Sequence, residues 1–474
     1  MSPLWSHQKE AITRASDGEE LGLFFEMGTG KTRTIVEILK RKFYENKSTM
    51  RTLILCPPVV LKNWVNEFKM FSEFDERDIV VLDRKTRKEK GLQDRIGNST
   101  REFILITNYE ALDNIEFSKL LEWWAPEILV CDESQRLKSS KSKRAKAVER
   151  LSWSTEYRYI LSGTPVLNSP MDLYQQFKIL DKGKTFGANF WVFCNRYFFD
   201  ANASNPNFTW KKWLPKPETF MAFNKLIGDK SMRVQKSECL DLPPFIREKR
   251  EVELSPAQAV AYKSMKKEFI AFVESEKKSD KSRTVVAQLA ITKALRLQQI
   301  ITGFVTTEEG EQLRLKGGNP RLKELEELIK EITATGEKVI IWACFKENYK
   351  QIAEVCDKLH IGYAELHGGI QANQKDKNIN SFKTNKDCQV LIANQGAGGV
   401  GVNLQEASYS IYFSRNFNLE HDLQSEARNY RGGSEMHSSV TRIDLVAVDT
   451  IDQQILDALL KKQKISDMIL DWDV

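Results

Sequence analysis

The stretch FFEMGTGKTRT, residues 24–34, sets Gly28 and Gly30 around a threonine and follows them at once with Lys31 and Thr32. A turn of small residues lets several backbone N–H groups converge on one anion, and a helix that starts where the turn ends adds its positive dipole terminus. The lysine would reach the outer phosphates of a nucleotide, and the threonine hydroxyl would sit on Mg²⁺. The full pattern G-x-x-x-x-G-K-[ST] wants a glycine where this chain has Phe25, and an ordinary glycine turn between strand and helix uses the same residues. A second site distinguishes the two. EILVCDESQ puts Asp132 and Glu133 directly after an apolar run, which aims both carboxylates at one edge of a sheet. Asp132 would hold the hydration shell of the metal, and Glu133 would orient the water that attacks a terminal phosphate. Such a pair also occurs as a helix N-cap. Behind a Gly-Lys-Thr turn it reads as the other half of an ATP site.

These groups need a scaffold that brings distant segments to one edge. Short apolar runs recur between helical patterns: residues 21–25, 53–56, 103–106, 127–131 and 157–161, then 338–345, 389–394, 409–414 and 442–448. They read as buried parallel strands, and their alternation with helices predicts doubly wound α/β lobes with ligands at the carboxyl ends of the strands. Gly28, Asp132 and Ser162 all fall at such ends. At 474 residues and about 100–200 residues per domain, two lobes are expected. The first spans 1–240 with a mostly helical insertion near 177–236. The second spans 241–474 with a helical insertion near 255–318. DLPPF, 241–245, is the linker candidate because consecutive prolines stop a helix.

Composition narrows the class. Lysine and arginine total 71 against 65 acids, a mild excess that permits a polyanionic partner. Seven cysteines form no C-x-x-C pair and no cluster with the five histidines, so neither a zinc site nor a disulfide framework is suggested. With no signal peptide and no apolar run long enough to span a bilayer, a cytoplasmic protein without membrane contact is expected.

In order along the chain, SHQKEAI, EMGTGKT, CPPVVLKNW, TNYEAL, DESQRLKSSKSK, LSGTP, ANQGAGGVGVNLQEA and QSEARNYRGGSE resemble the helicase-motif series of superfamily-two ATPases. More narrowly they resemble the Swi/Snf-type branch of double-stranded DNA translocases, over about residues 4–460, with DESQ and the compact organisation similar to bacterial or phage members. The resemblance implies two RecA-like lobes, each a mostly parallel sheet flanked by helices. It implies that Gln8 reads adenine, that Met27, Gly28, Thr29, Gly30, Lys31 and Thr32 bind phosphates and metal, and that Gln424 belongs to the nucleotide site. Ser162, Gly163 and Thr164 would link hydrolysis to lobe movement. Arg428 and Arg431, three apart and so expected on one helical face, would neutralise charge on the γ-phosphate in the transition state. RGGS, 431–434, departs from the family, which commonly has a bulky apolar residue and a glutamine at Gly432 and Ser434.

RLKSSKSKRAK, 136–146, packs six basic residues among serines directly after the acidic pair. Lys138, Lys141 and Lys143 would contact phosphates, although a solvated helix face has the same composition. By resemblance Asn63, Trp64, Thr107, Asn108 and the loop 395–403, with Gly398, Gly399 and Asn403, touch the backbone of one strand; Trp64 alternatively belongs to the core. No motif that reads base edges is visible, so binding is expected to be independent of sequence. The expected activity is a DNA-dependent ATPase, using ATP and Mg²⁺, that moves along double-stranded DNA. The alternatives are a strand-separating helicase on DNA or RNA and a nucleotide-gated scaffold without turnover.

Overall fold

The structure of the protein, a computed structural model, describes residues 3–74, 76–83, 86, 96, 104–204, 211, 213–277, 283–307, 309–396 and 402–470, with backbone alone at 269–277, 283–291 and 372. The chain divides into two compact units, Met1–Leu240 with Lys462–Val474, and Asp241–Lys461.

The first unit is built on a parallel sheet of seven strands: β1 (Glu20–Phe25), β2 (Thr52–Cys56), β3 (Ile79–Leu82), β4 (Ile104–Asn108), β5 (Ile128–Asp132), β6 (Tyr157–Leu161) and β7 (Ser231–Val234), in the order β3-β4-β2-β5-β6-β1-β7. The central strands are apolar on both sides because both faces are covered. Along β1, Phe24 enters one core while Leu23 and Phe25 enter the other. Helices α1 (Ser6–Asp17), α2 (Lys31–Asn46), α3 (Leu61–Phe71), α4 (Lys143–Ser154) and α5 (Asp172–Asp181) flank the sheet. The helix Ile451–Leu470 starts in the second unit and from Lys462 belongs to the first, where Ile469 and Leu470 are buried with Phe24, Leu53 and Phe177. Two parts of the stretch expected as a helical insertion are integral to this unit. Phe177 is fully buried in its core, and β7 pairs in parallel with β1, Gly22 opposite Ser231. SMRV is too short and too polar to signal a strand by pattern.

The second unit repeats the plan with six parallel strands: β8 (Phe245–Val252), β9 (Val339–Trp342), β10 (Gly362–Leu366), β11 (Cys388–Ala393), β12 (Tyr409–Tyr412) and β13 (Val440–Ala447), ordered β8-β13-β12-β9-β11-β10. Its edge strand β8, FIREKREV, pairs with β13 over eight residues although its composition is charged. Helix α6 (Leu419–Glu426) is fixed to this sheet by ions. Arg442, fully buried on β13, binds both carboxylate oxygens of Asp422 at 3.0 Å, Glu426 at 2.9 Å and Asp444 at 3.0 Å, with its guanidinium 3.8 Å from the Tyr412 ring centre. Arg415 and Arg247 reach Asp444 from other sides, each at 2.9 Å. Burial pushes the Asp444 carboxyl up, but Arg415, Arg442 and Arg247 more than offset it and hold it well below the ordinary carboxylate range.

Replacing Arg442 by methionine leaves the buried Asp422 without its arginine and takes one of three arginines from Asp444, and is expected to cost about 3–5 kcal/mol. Urea unfolding followed at neutral pH measures it. The contribution of a depressed carboxyl is present at neutral pH and is lost as the pH falls through its folded value. The deficit of Arg442→Met therefore narrows in acid.

Candidate active site

Strands β5, β6 and β1 are consecutive parallel neighbours, so the segments that leave their carboxyl ends meet at one edge of the first sheet. After β1 the chain turns through Gly28 and Gly30, whose φ angles of 88° and 84° lie in the left-handed region, and enters α2. Lys31 Nζ donates to the carbonyls of Phe25 at 2.7 Å and Glu26 at 3.1 Å, which holds its charge over the turn. Thr29 donates to the Glu26 carbonyl at 2.8 Å. Met27 and Thr32 are half-buried in the same turn.

Helix α1 closes over this loop. Gln8, 1 % exposed, accepts from the Trp5 N–H at 3.0 Å and donates to the Gly30 carbonyl at 3.3 Å, so both ends of its amide are engaged within the chain. A side-chain carbon at position 30 would lie 2.4 Å from Gln8 Nε2, a second reason for glycine there. His7, beside Gln8 in the SHQKEAI segment, also holds the loop: the Thr29 carbonyl can only accept, so His7 Nε2 donates to it, at 3.0 Å.

Asp132 ends β5 with its carboxylate buried. The Trp64 indole N–H donates to Oδ2 at 3.0 Å, and the Glu133 N–H donates to Oδ1 at 3.0 Å. The Tyr109 hydroxyl donates to the Asp132 carbonyl at 2.7 Å. Burial and then the Glu133 charge push the Asp132 carboxyl up to about 7, against the pull of Trp64 and Lys31. Glu133 adopts φ 52°, in the left-handed region that non-glycine residues enter uncommonly. A chain of short hydrogen bonds leaves it: Gln135 Nε2 donates to Glu133 Oε2 at 2.6 Å, Ser162 donates to Gln135 Oε1 at 2.6 Å, and the Thr164 N–H donates to Ser162 Oγ at 3.0 Å. Gly163 closes the circle, since a carbon added there would touch Met27 and the Phe25 carbonyl at 3.4–3.5 Å. The loop after β1, the acidic pair after β5 and the turn after β6 thus form one connected site.

In the second unit Gln424 is buried on α6 and donates to Glu420 at 3.2 Å. The arginines do not share a helical face as expected: α6 ends at Glu426, and Arg428 and Arg431 follow in turns. Ala427 leaves the helix at ψ 4°, and Gly433 at φ 99° completes the break that Gly432 and Gly433 permit. Arg428 donates to the Val402 carbonyl at 3.3 Å. Burial lowers the guanidinium pKa of Arg431, which is half-buried and whose Nε has no partner among the described residues.

Residues 9–302, more than half of the chain, match the model of the SNF2-related domain. The chain belongs to the SNF2-related family. Residues 321–433 match a second model, the helicase conserved C-terminal domain. Among curated relatives, the Chromodomain-helicase-DNA-binding protein 1-like of Danio rerio is 25% identical over 450 residues, covering 94% of this chain and 41% of the relative. The Putative ATP-dependent helicase/translocase YwqA of Bacillus subtilis is 25% identical over 453 residues, covering 94% and 46%. The chain therefore spans less than half the length of these two relatives. A solved structure, the Sulfolobus solfataricus SWI2/SNF2 ATPase core in complex with dsDNA, is similar at 24% identity and a TM-score of 0.43, covering 100% of this chain and 94% of that one.

Several residues assigned by resemblance to nucleic acid sit elsewhere in this SNF2-related chain. Trp64 is fully buried and serves Asp132, so it cannot stack on or touch a strand at the surface. Thr107 is fully buried and donates to the Leu82 carbonyl at 2.8 Å, and Asn108 caps the turn after β4 by accepting from the Ala111 N–H at 3.0 Å. Both fix the end of a strand. Asn63 and Asn403 are half-buried, and Gly398 and Gly399 lie outside the described residues. In the basic run, Arg136 and Arg144 are drawn to Glu110 at 3.4 and 3.5 Å and Lys138 to Asp172 at 3.8 Å, whereas Lys141 and Lys143 are exposed beside the N-terminus of α4. Sequence reasoning misses Tyr109 and Gln135, although the TNYE and DESQ segments that carry them both signal a site through the residues alongside.

Trp64→Phe removes the donor to a buried carboxylate and is expected to lower the stability of the first unit by about 1–3 kcal/mol. Trp123→Phe, at a position 64% exposed, should change it by less than about 0.5 kcal/mol. Urea midpoints of the two variants read the difference.

Proposed function

We propose that this chain is a DNA-dependent ATPase that moves along double-stranded DNA without reading its sequence. The observation that carries the reading is the hydrogen-bond chain from Glu133 through Gln135 to Ser162, because it ties an acid of the right type to the turn after β6, whose Gly163 lies against Met27 at the start of the glycine turn that would hold phosphates. Gly28, Gly30 and Lys31 bind the phosphate chain, with backbone N–H groups and one ammonium answering its charge. Thr32 and Asp132 would hold Mg²⁺, whose presence adds Lewis acidity at the phosphates. The raised pKa of Asp132 fits that role, since a cation beside it would supply the counter-charge that its burial leaves wanting. Glu133, with its backbone fixed in a left-handed turn, orients and polarises the attacking water. Ser162 and Thr164 pass the state of that carboxylate to the turn after β6. Arg428 and Arg431 act on the γ-phosphate, and Lys141 and Lys143, together with Gly398, Gly399 and Asn403, engage phosphates of the duplex.

Glu133→Gln should bind ATP with near wild-type affinity and lose about 10²–10⁴-fold in turnover, whereas Lys31→Ala should lose affinity and turnover together. Nucleotide titration and steady-state hydrolysis, with and without duplex DNA, measure this. In the same preparation the wild type should displace a third strand from a triplex while leaving a plain duplex joined. Efficient separation of the plain duplex would make it a helicase, and wild-type turnover in Glu133→Gln would remove the acidic pair from the mechanism.

Alanine at Lys141 and Lys143 should weaken duplex binding equally across sequences and flatten its salt dependence by about 0.9 for each phosphate that is no longer neutralised. Binding isotherms at several salt concentrations test it; basal hydrolysis should persist.

A further inference from the structure

Between the end of α5 at Asp181 and the start of β7 at Ser231, residues 182–230 carry eight lysines and arginines against three acids, a net +5 where the whole chain nets +6. The basic excess that permits a polyanionic partner thus sits almost wholly in this one stretch. The stretch is also rich in aromatic side chains, and several are spent on the core: Phe186, Phe193, Tyr197 and Phe223 are buried against one another.

Trp191 is not. It lies in the first turn of the helix Phe190–Tyr197 and is 55 % exposed, with exposed Val192 beside it. Asn189 caps that helix by accepting from the Trp191 and Val192 N–H groups at 2.9 and 3.2 Å, and Phe190, which meets the Trp191 ring at 68°, packs against the core. The backbone that carries the indole is therefore fixed before any partner arrives, which lowers the cost of binding. The strand Phe198–Asp200 pairs with Trp213–Pro215, and Trp213 packs against the same core. The ammonium of Lys211 stands 5.1 Å from the centre of the Trp191 ring and 5.2 Å from that of Trp213, so one cation bridges two indoles. Lys211 is exposed and has no acidic partner among the described residues, and Arg196 is exposed at the other end of the helix.

Cations beside a rigid, exposed indole suit a ligand that offers anions and flat rings together. A single strand does so: its phosphates answer the charges, and its unpaired bases stack on the tryptophan, whereas the bases of a duplex are already stacked on one another. We propose that the face bearing Trp191, Lys211 and Arg196 binds single-stranded DNA, with Trp191 stacking on a base and the two cations neutralising phosphates. It adds to the proposed duplex motor a hold on strands that are already unpaired, and it shares no residue with the phosphate turn, the acidic pair or the basic run 136–146.

Fluorescence anisotropy with a labelled oligothymidylate and with an abasic strand of equal length tests this, because the two probes share phosphates and differ in bases. The wild type should bind oligothymidylate about fivefold or more tightly than the abasic strand, and Trp191→Ala should lose that difference. Its duplex affinity and urea midpoint should match the wild type. Lys211→Ala should weaken both probes and flatten their salt dependence by about 0.7 for one phosphate released. Trp153→Ala, at a tryptophan equally exposed but outside the stretch, should bind both probes as the wild type does. Equal wild-type affinity for the two probes overturns the inference, and so does an unchanged preference in Trp191→Ala or the same loss in Trp153→Ala. An equal fall of duplex affinity in Trp191→Ala overturns it as well, since the face would then not depend on unpaired bases. The titrations need no ATP turnover, so they remain readable if the proposed ATPase activity fails.

Discussion

Asp132 ends a central strand with its carboxylate withdrawn from water, and a charge in that position costs several kcal/mol unless the surroundings answer it. The surroundings here are specific. An indole from α3 meets one oxygen, the next peptide N–H meets the other, and a tyrosine from the turn after β4 fixes the carbonyl behind them. The indole and the tyrosine arrive from different crossovers of the sheet. The order of strands, the packing of α3 and the conformation of the turn after β4 are therefore all needed before this one group is placed. What the donors leave uncompensated is visible in the raised pKa of the carboxyl.

The second unit solves the same problem with ions in place of neutral donors. Arg442, Arg415 and Arg247 face Asp422, Glu426 and Asp444, three positive groups against three negative. Such a cluster gains little over an apolar core in net stability. It fixes α6, and through α6 the turn that carries Arg428 and Arg431. One unit thus holds a carboxylate that retains a demand for charge, and the other holds charges that are already matched.

The central strands were legible because burial on both faces forces continuous runs of valine, isoleucine and leucine, as in LILC and EILVC. The edge strands were not: SMRV and FIREKREV pair with a sheet on one side only and are written in polar residues. The phosphate turn and the acidic pair were legible because their chemistry dictates residue type and spacing together. Their supports were not, since a buried tryptophan donating to a carboxylate leaves the same letter as one exposed to a ligand. Thr107 and Asn108 show the same limit, being small polar residues after a strand that are consumed by their own backbone. The helical spacing of Arg428 and Arg431 failed for a different reason: the helix stops at Glu426, ahead of both, and the two glycines that follow them let the chain turn away.

The core of the first unit contains Ile469 and Leu470, more than two hundred residues beyond Leu240, where the rest of that unit ends. On a ribosome, the amino-terminal sheet would emerge and pair long before those two side chains were made. Until then the part of this core that they cover would remain wet. The nascent first unit must wait for the whole second unit to be synthesised before its last contacts can form, so the order of translation and the order of completion are reversed.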